Sequence, residues 1–196
     1  GSIQLNPLIP EEVLYEKSHF EPIGQTWKAH HENFARFIYQ YRAQDVFEIG
    51  GGTGLLGTIY KSINQDCNWT LIEPTPMLSE SADPEINVIK AFFDNSFEFD
   101  GNIDAVVHTH VLEHIFDDVD FLKKLKELLR RRGKLLITVP AYEFLWSGED
   151  YVSNHVRRYT KKILNNKEPL KLDEMVDNSI RADNLKNKLS KYLTLY

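Results

Sequence analysis

Short apolar runs alternate with helix-like patterns through the middle of this chain. Continuous apolar segments predict strands at residues 45–49, 68–72, 87–90, 103–108 and 134–139. Amphipathic spacing predicts helices at residues 11–20, 26–41, 55–63 and 118–130. Strands that alternate with helices are typical of a doubly wound, parallel α/β sheet. We therefore predict one open sheet of that class, with helices N-terminal to it.

Several helix ends are marked by residues that favour capping. Thr26 is the predicted cap of the helix at 26–41, and Asp117 or Asp118 is the predicted cap of the helix at 118–130. Gly133 follows that second helix, as glycine often follows a helix C-terminus. The basic run at residues 130–132 is expected to end the same helix, because cations favour the C-terminal end of the helix dipole.

The C-terminal region carries a weaker pattern than the middle of the chain. Residues 161–196 are rich in Asn and Lys, lack a convincing pair of apolar strands and hold one weak helical pattern near 180–193. We therefore expect an N-terminal helical segment that covers a cofactor site (1–44), an α/β domain (45–160) and a short or truncated helical tail (161–196).

Composition narrows the class of protein. A chain of 196 residues with 42% hydrophobic content can form one domain with a sizeable core. A formal net charge of −6 argues against a protein that binds nucleic acid by neutralising phosphates. No segment resembles a membrane helix or a secretory leader, and the single Cys67 cannot form an intrachain disulfide. We expect a cytoplasmic protein that binds neither nucleic acid nor membrane, and its oligomeric state stays open.

A cluster of glycines follows the first predicted strand and is the strongest candidate for a binding loop. Half of the ten glycines lie between residues 50 and 57, where backbone without a Cβ can approach a ligand closely. Two nucleotide-site patterns overlap here. The dinucleotide pattern G-x-G-x-x-G runs from Gly52 to Gly57, and the pattern acid-x-Gly-x-Gly-x-Gly runs from Glu48 to Gly54. The first would carry the strand through two consecutive glycines, which β-propensity disfavours, so the second is preferred.

An acid at the end of the second predicted strand completes a nucleotide-binding pattern. Glu73 follows the apolar run at 68–72, and Pro74 ends the strand. A carboxylate at this place can accept hydrogen bonds from both hydroxyls of a ribose. The alternative for Glu73 is a solvated loop residue.

Together these residues resemble the class I S-adenosylmethionine-dependent methyltransferases. The resemblance covers about residues 26 to 160 and rests on the loop from Glu48 to Gly54, on Glu73 and on the segment at residues 110–115. It implies a Rossmann-like methyltransferase sheet that binds S-adenosyl-L-methionine and releases S-adenosyl-L-homocysteine. The implied cofactor-binding residues are Trp27, Glu48, Gly50, Gly51, Gly52, Thr53, Gly54, Glu73, Pro74, Phe92, Phe93, Asp94, His110 and Val111. Phe92 and Phe93 could instead belong to the core.

A narrower resemblance, at residues 24–27, 72–74 and 111–115, is to methyltransferases that act on sugars or sugar nucleotides. It implies methyl transfer to a hydroxyl of a saccharide or a sugar nucleotide or phosphate, in glycan or metabolite biosynthesis. In that family the sheet normally ends with an antiparallel pair of strands, which residues 161–196 do not predict. The alternatives are a C- or N-methyltransferase with a similar substrate, an NAD-dependent oxidoreductase and a non-catalytic cofactor-binding partner protein.

Candidate catalytic residues follow the fourth predicted strand, whose carboxyl end should meet the cofactor. We expect His110 to act as a base or to position the substrate, with Glu113 orienting a neighbour and His114 in second place. A structural role is the alternative for His110. His108, His110, Glu113 and His114 also offer metal-ligating groups. Because they do not form a His-Glu-x-x-His helix, no metal is expected.

Candidate substrate-binding residues follow the fifth predicted strand, in a loop rich in aromatic and acidic residues. Two consecutive arginines there could hold a phosphate or carboxylate with paired hydrogen bonds. The alternative is that they form surface ion pairs with Glu149 or Asp150. The predicted substrate contacts are Tyr142, His155, Arg157, Arg158 and Tyr159.

Overall fold

A computed structural model describes residues 25–100, 102–167, 175–176 and 192–195. The helices are α1 (Gln25–Tyr39), α2 (Leu55–Ile63), α3 (Asp118–Leu128), α4 (Gly148–Val152) and α5 (Lys161–Asn165), with 3-10 turns at Leu112–His114 and Glu143–Leu145. The strands are β1 (Asp45–Ile49), β2 (Asn68–Ile72), β3 (Asn87–Ile89), β4 (Ile103–Thr109), β5 (Leu129–Pro140), β6 (Met175–Val176) and β7 (Tyr192–Leu195).

The strands form one seven-stranded sheet in the order β3-β2-β1-β4-β5-β7-β6. The first five strands in this order are parallel, which confirms the predicted Rossmann-like α/β sheet. The strand order reverses between β1 and β4, where both strands end near the same place. In open α/β sheets, ligands bind in the crevice at such a reversal.

The C-terminal part of the chain corrects one expectation. β7 pairs antiparallel with β5, and β6 pairs antiparallel with β7, so residues 161–196 do contain an antiparallel pair. β6 has only two residues and the run at 192–195 is short, which is why neither stood out as an apolar strand. The predicted helix near 180–193 is wrong at its last two residues, which belong to β7, and its earlier part lies outside the described residues, as does the helix predicted at 11–20.

Two apolar clusters cover the two faces of the sheet. One packs Phe34 and Ile38 of α1 and Leu56 and Tyr60 of α2 against Trp69 and its neighbours. The other packs the leucine face of α3 against strands β1, β4 and β5. Within the described part of the chain, no helix is both long and apolar enough to span a bilayer.

The predicted boundaries around α3 need two corrections. α3 ends at Leu128, and the basic residues 130–132 lie in β5, which starts at Leu129 rather than near residue 134. Nε of Arg130 lies 2.7 Å from Oδ1 of Asp104 in the neighbouring strand β4. The Arg130 charge therefore stabilises the contact between two strands rather than the end of a helix. Asp117 does cap α3, because its side chain accepts a hydrogen bond from the Asp120 backbone N–H. Thr26 lies inside α1, so it cannot be the cap before it.

Candidate cofactor and acceptor site

The glycine loop begins where β1 ends, at Ile49. Gly50, Gly52 and Gly54 all have positive φ angles, of 71°, 48° and 73°. Backbone of this kind cannot continue a strand, and other residues adopt it only with strain. The strand therefore stops before the first glycine. This confirms the register of the Glu48–Gly54 pattern and rules out the dinucleotide interpretation, which needed a longer strand.

The glycines of this loop have different surroundings. A Cβ on Gly50 would lie 2.5 Å from Cγ2 of Val111, and one on Gly54 would lie 2.9 Å from Cδ2 of Leu78. A Cβ on Gly52 would meet no atom of the described residues within 4 Å. Two glycines thus allow close packing against protein, whereas Gly52 turns bare backbone toward open space that a ligand can enter.

Glu73 lies against the same loop. Its Oε2 accepts a hydrogen bond from the Gly52 backbone N–H at 3.3 Å, and its Oε1 accepts one from the Thr75 backbone N–H at 3.1 Å. The half-buried carboxylate therefore sits beside the open position of the glycine loop, at the carboxyl ends of β1 and β2. That is the place from which it could reach a ribose, as the sequence predicts.

Glu48 supports the loop from the interior. Its side chain is buried, and its Oε2 accepts a hydrogen bond from Nε1 of Trp69 at 2.8 Å. Burial raises the pKa of Glu48 to about 7, although the Trp69 hydrogen bond partly opposes the shift. A Cβ on Gly51 would lie 2.4 Å from the carboxyl carbon of Glu48. Glu48 therefore holds the loop in place, and its predicted contact with the cofactor would have to be indirect.

The residues after β3 divide between core and surface. Phe93 packs against Phe97 and Phe121, with ring centroids 5.4 and 5.5 Å away, so the core alternative applies to it. Asp94 is exposed, and its side chain accepts hydrogen bonds from the backbone N–H and hydroxyl of Ser96. Phe92 is partly exposed and remains a predicted adenine contact.

His110 follows β4 and lies next to the glycine loop through its neighbour Val111. It has a positive φ of 57°, unusual for a residue with a side chain. Its ring meets Trp27 edge-on at a centroid distance of 4.8 Å, and its Nδ1 lies 3.0 Å from Oε1 of Glu113. The structure thus brings together the predicted catalytic pair and the predicted cofactor contact of the first helix.

Burial shifts the pKa values of His110, Glu113 and His30, which form a cluster after β4 and on α1. It lowers the pKa of His110 to about 3, and nearby His155 adds to that shift. It raises the pKa of Glu113 to about 7, with His114 opposing. His30, whose ring lies 6.0 Å from that of His110, likewise has a pKa lowered to about 3 by burial and by His110. At neutral pH the imidazole of His110 is therefore uncharged and keeps a lone pair.

His108 does not belong to this cluster. Its side chain is fully buried, and its ring lies 5.9 Å from that of Phe121, on the sheet face covered by α3. Neither ring nitrogen has a hydrogen-bond partner among the described residues, and burial lowers its pKa to about 3.

The two arginines are engaged by carboxylates. Arg158 binds both oxygens of the buried Asp150 at 2.8 Å, and Arg157 binds Oδ2 of Asp118 at 2.6 Å. Burial opposes the ionisation of Asp150, yet hydrogen bonds from Arg158 and His155 hold its pKa below the usual range. The ion-pair alternative therefore describes both arginines, with Asp118 as a partner that the sequence did not indicate.

Tyr159 corrects another prediction. Its side chain has 0% exposed surface, and its hydroxyl lies 3.0 Å from both the Leu112 carbonyl and Oδ2 of Asp118. Burial, followed by the Asp118 charge, raises the pKa of Tyr159. The structure therefore gives it a buried structural place and not the predicted substrate contact. Tyr142, by contrast, keeps exposed surface and packs near the exposed Phe144.

Sequence reasoning missed Asp150 as the residue that organises the loop after β5. Asp150 accepts hydrogen bonds from the backbone N–H of Ser147 and from His155, in addition to those from Arg158. The spacing Ser147-x-x-Asp150 was the available signal, since a polar residue followed three positions later by an acid marks a helix start. His30 carried no comparable signal, because its closeness to His110 depends on how α1 packs.

The chain is similar to known methyltransferases over most of its length. A family model described as a methyltransferase domain matches residues 25–192. A probable S-adenosylmethionine-dependent methyltransferase of Mycobacterium tuberculosis is 24% identical over 115 residues, which are 58% of this chain and 42% of that protein. This chain thus spans less than half the length of that relative.

Solved structures of methyltransferases have the same fold. Human N-acetylserotonin methyltransferase bound to S-adenosylmethionine superposes with a TM-score of 0.61 at 12% identity, over 87% of this chain and 51% of that one. CalO1, a methyltransferase in calicheamicin biosynthesis with bound S-adenosylhomocysteine, gives 0.59 at 17% identity, over 77% and 50%. The sheet order, the glycine loop and the family match agree, and this chain belongs to the class I S-adenosylmethionine-dependent methyltransferases.

Proposed function

We propose that the protein transfers a methyl group from S-adenosylmethionine to a small-molecule acceptor, and that the acceptor atom is a hydroxyl oxygen of a saccharide. The observation that carries the cofactor part is the contact between Glu73 and the glycine loop. The Glu73 carboxylate accepts a hydrogen bond from the backbone N–H of Gly52, where a Cβ would find open space among the described residues. A carboxylate that can accept hydrogen bonds from a ribose diol therefore lies beside backbone without a Cβ. A nucleoside that carries an amino-acid chain requires this combination.

The acceptor chemistry is assigned to His110. Methyl transfer breaks the bond between the methyl carbon and sulfur, whose electron pair stays on sulfur, and forms a bond from that carbon to the acceptor oxygen. The hydroxyl proton must leave, and we assign its removal to His110. The ring is a weak base in this structure, because its pKa is about 3 and its Nε2 is buried, so the bound acceptor must expose Nε2 before the ring takes the proton. Glu113 holds Nδ1 of that ring at 3.0 Å, so the other nitrogen is the one that carries the lone pair.

The side chains after β5 favour an acceptor that is bound through uncharged groups rather than through a phosphate. Arg157 and Arg158 are already neutralised by Asp118 and Asp150, so they are poor candidates for binding a phosphate. Phe144, with 80% of its surface exposed, lies near Tyr142 at the same edge of the sheet. Aromatic rings of this kind can pack on the apolar faces of a sugar, which supports a saccharide.

Calorimetric titration tests the cofactor assignment. We expect S-adenosylhomocysteine to bind and NAD not to bind. Glu73→Ala should weaken the binding of S-adenosylhomocysteine by about tenfold or more, since two hydrogen bonds to a charged group are lost. Glu80→Ala, which removes an exposed carboxylate from the following loop, is the matched control and should change little. Binding of NAD alone, or equal effects of the two variants, would contradict the assignment.

Mass spectrometry tests the acceptor class. Incubation with S-adenosylmethionine and a panel of neutral, phosphorylated and nucleotide-linked saccharides should yield a product heavier by one methyl group. Hydrolysis-resistant methylation at oxygen supports the proposal, whereas a product methylated at nitrogen or carbon supports the alternatives.

A further inference from the structure

Three side chains with metal-ligating atoms meet beside His110. The side chains are those of Glu113, His114 and His155, and one ligand atom from each lies within 4.8 Å of the other two. Glu113 and His114 belong to the 3-10 turn after β4, whereas His155 comes from the loop after α4. The Val156 backbone N–H donates to the Glu113 carbonyl at 2.8 Å and holds the two segments together.

The carboxylate in this group is only partly satisfied. Glu113 has 0% exposed surface, and its Oε1 is committed to Nδ1 of His110. Its Oε2 is buried and has no hydrogen-bond partner within the described part of the chain. A buried carboxylate oxygen without a partner is costly, and a cation would remove that cost.

The hydrogen bond that His155 makes with Asp150 leaves its Nε2 as the nitrogen that can bind a metal ion. Its Nδ1 lies 2.9 Å from Oδ1 of Asp150, and Asp150 is itself fixed by paired hydrogen bonds from Arg158. An ionised carboxylate accepts the Nδ1 proton, so Nε2 of His155 carries the lone pair. Carboxylate–histidine pairs of this kind orient the imidazole ligands of metal ions in proteins.

We propose that Glu113, His114 and His155 bind one divalent transition-metal ion. Two imidazole nitrogens and one carboxylate oxygen suit zinc or iron better than calcium or magnesium, which prefer oxygen ligands alone. Three protein ligands leave at least one coordination position open. The histidines keep some exposed surface, so an ion and a ligand can reach the site.

The proposal differs from the metal site that the sequence argued against. That set included His108 and His110, which the structure places against Phe121 and Trp27. The third ligand is instead His155, which sequence spacing could not have joined to Glu113 and His114.

The site would serve the proposed methyl transfer, and this role rests on the proposed function. A metal ion lowers the pKa of a hydroxyl that it binds. The ion would bind the Glu113 carboxylate, which also contacts His110. An acceptor hydroxyl bound at the open coordination position of the ion would therefore be close to His110, the proposed base. Metal binding itself does not depend on that role.

The test measures metal binding without cofactor or acceptor. Tag-free chain is stripped with a chelator and titrated with Zn²⁺ by calorimetry and with Co²⁺ by its visible absorbance. We expect saturable binding of one ion per chain. Glu113→Gln, which keeps an acceptor for His110, and His155→Ala should each weaken binding by about tenfold or more. Glu98→Gln, which removes an exposed carboxylate outside the segments that carry the three ligands, should leave affinity unchanged.

Circular dichroism of the metal-free variants separates folding from binding, and the expected result is an unchanged spectrum for Glu113→Gln. No saturable binding by the folded wild-type chain, or equal affinity in Glu113→Gln and Glu98→Gln, would overturn the proposal. Failure to bind S-adenosylhomocysteine would reject the proposed function and leave the metal site standing. Full methyl transfer by the stripped chain would reject only the role of the metal in the reaction.

Discussion

The two sides of the site are built in different ways. The proposed cofactor side consists of the glycine loop at residues 50–54 and Glu73, and it is made largely of backbone from two neighbouring strand ends. The proposed acceptor side consists of the loops after β4 and β5, and it is held by the ion pair between the buried Asp150 and the mostly buried Arg158. A substitution on the cofactor side should therefore act mainly on ligand affinity, and one on the acceptor side mainly on stability.

Arg158→Met offers the strongest test of this difference. It leaves the buried Asp150 carboxylate without its paired hydrogen bonds, and loss of one partner of a buried ion pair costs about 3–5 kcal/mol of unfolding free energy. Arg131→Met, at an exposed position in β5, is the control and should cost less than about 0.5 kcal/mol. Urea unfolding measures both. At temperatures where Arg158→Met stays folded, its affinity for S-adenosylhomocysteine should be retained, and equal stability of the two variants would remove the distinction.

Glu48→Gln should change how the unfolding free energy depends on pH, which tests the cofactor side of the comparison. The pKa of Glu48 is about 7 in the folded chain and near 4.5 when unfolded, so folding opposes its ionisation. Stability contributed by the protonated carboxyl is present below pH 4.5 and is lost as pH rises toward 7, by about 3 kcal/mol in all. The Gln variant lacks this loss, so it should gain stability relative to wild type between pH 5 and pH 8.

Urea unfolding at both pH values measures the effect, with exposed Glu98→Gln as the control. The difference between variant and wild type must be compared, because the buried histidines have the opposite pH dependence. A constant difference between pH 5 and pH 8 would mean that Glu48 is not the group responsible.

Gly52→Ala should give the smallest change in stability and a clear change in affinity. The φ of 48° costs an alanine about 1 kcal/mol, and its Cβ would meet no atom within 4 Å in the part of the chain that the structure describes. The same Cβ would occupy the space assigned to the cofactor, so the Kd for S-adenosylhomocysteine should rise about tenfold or more. Gly148→Ala, where a Cβ is also unopposed, is the control and should leave the Kd unchanged. An unchanged Kd in Gly52→Ala would place the cofactor elsewhere.

Prediction from sequence succeeded where a short segment sets its own conformation. The bounds of β1, α2 and β2 were predicted to the residue, because apolar runs and glycines act over a few neighbours. Predictions failed where distant contacts decide. β5 begins earlier than expected because Leu129 pairs with Ile103 of β4. Residues 130–133 then form an irregularity in the strand, where Arg130 meets Asp104, before regular pairing resumes at Lys134.

The sequence alone determined the class of sheet, the end of β1 and the place of the glycine loop with its acid, since each depends on a local pattern of apolar residues and glycine. Only the tertiary structure decided that Arg158 serves Asp150, that Tyr159 is buried and that His155 joins Glu113 and His114. The reason is physical: a side chain's charge partners come from whatever the fold places within hydrogen-bond distance, and sequence spacing carries no record of that distance.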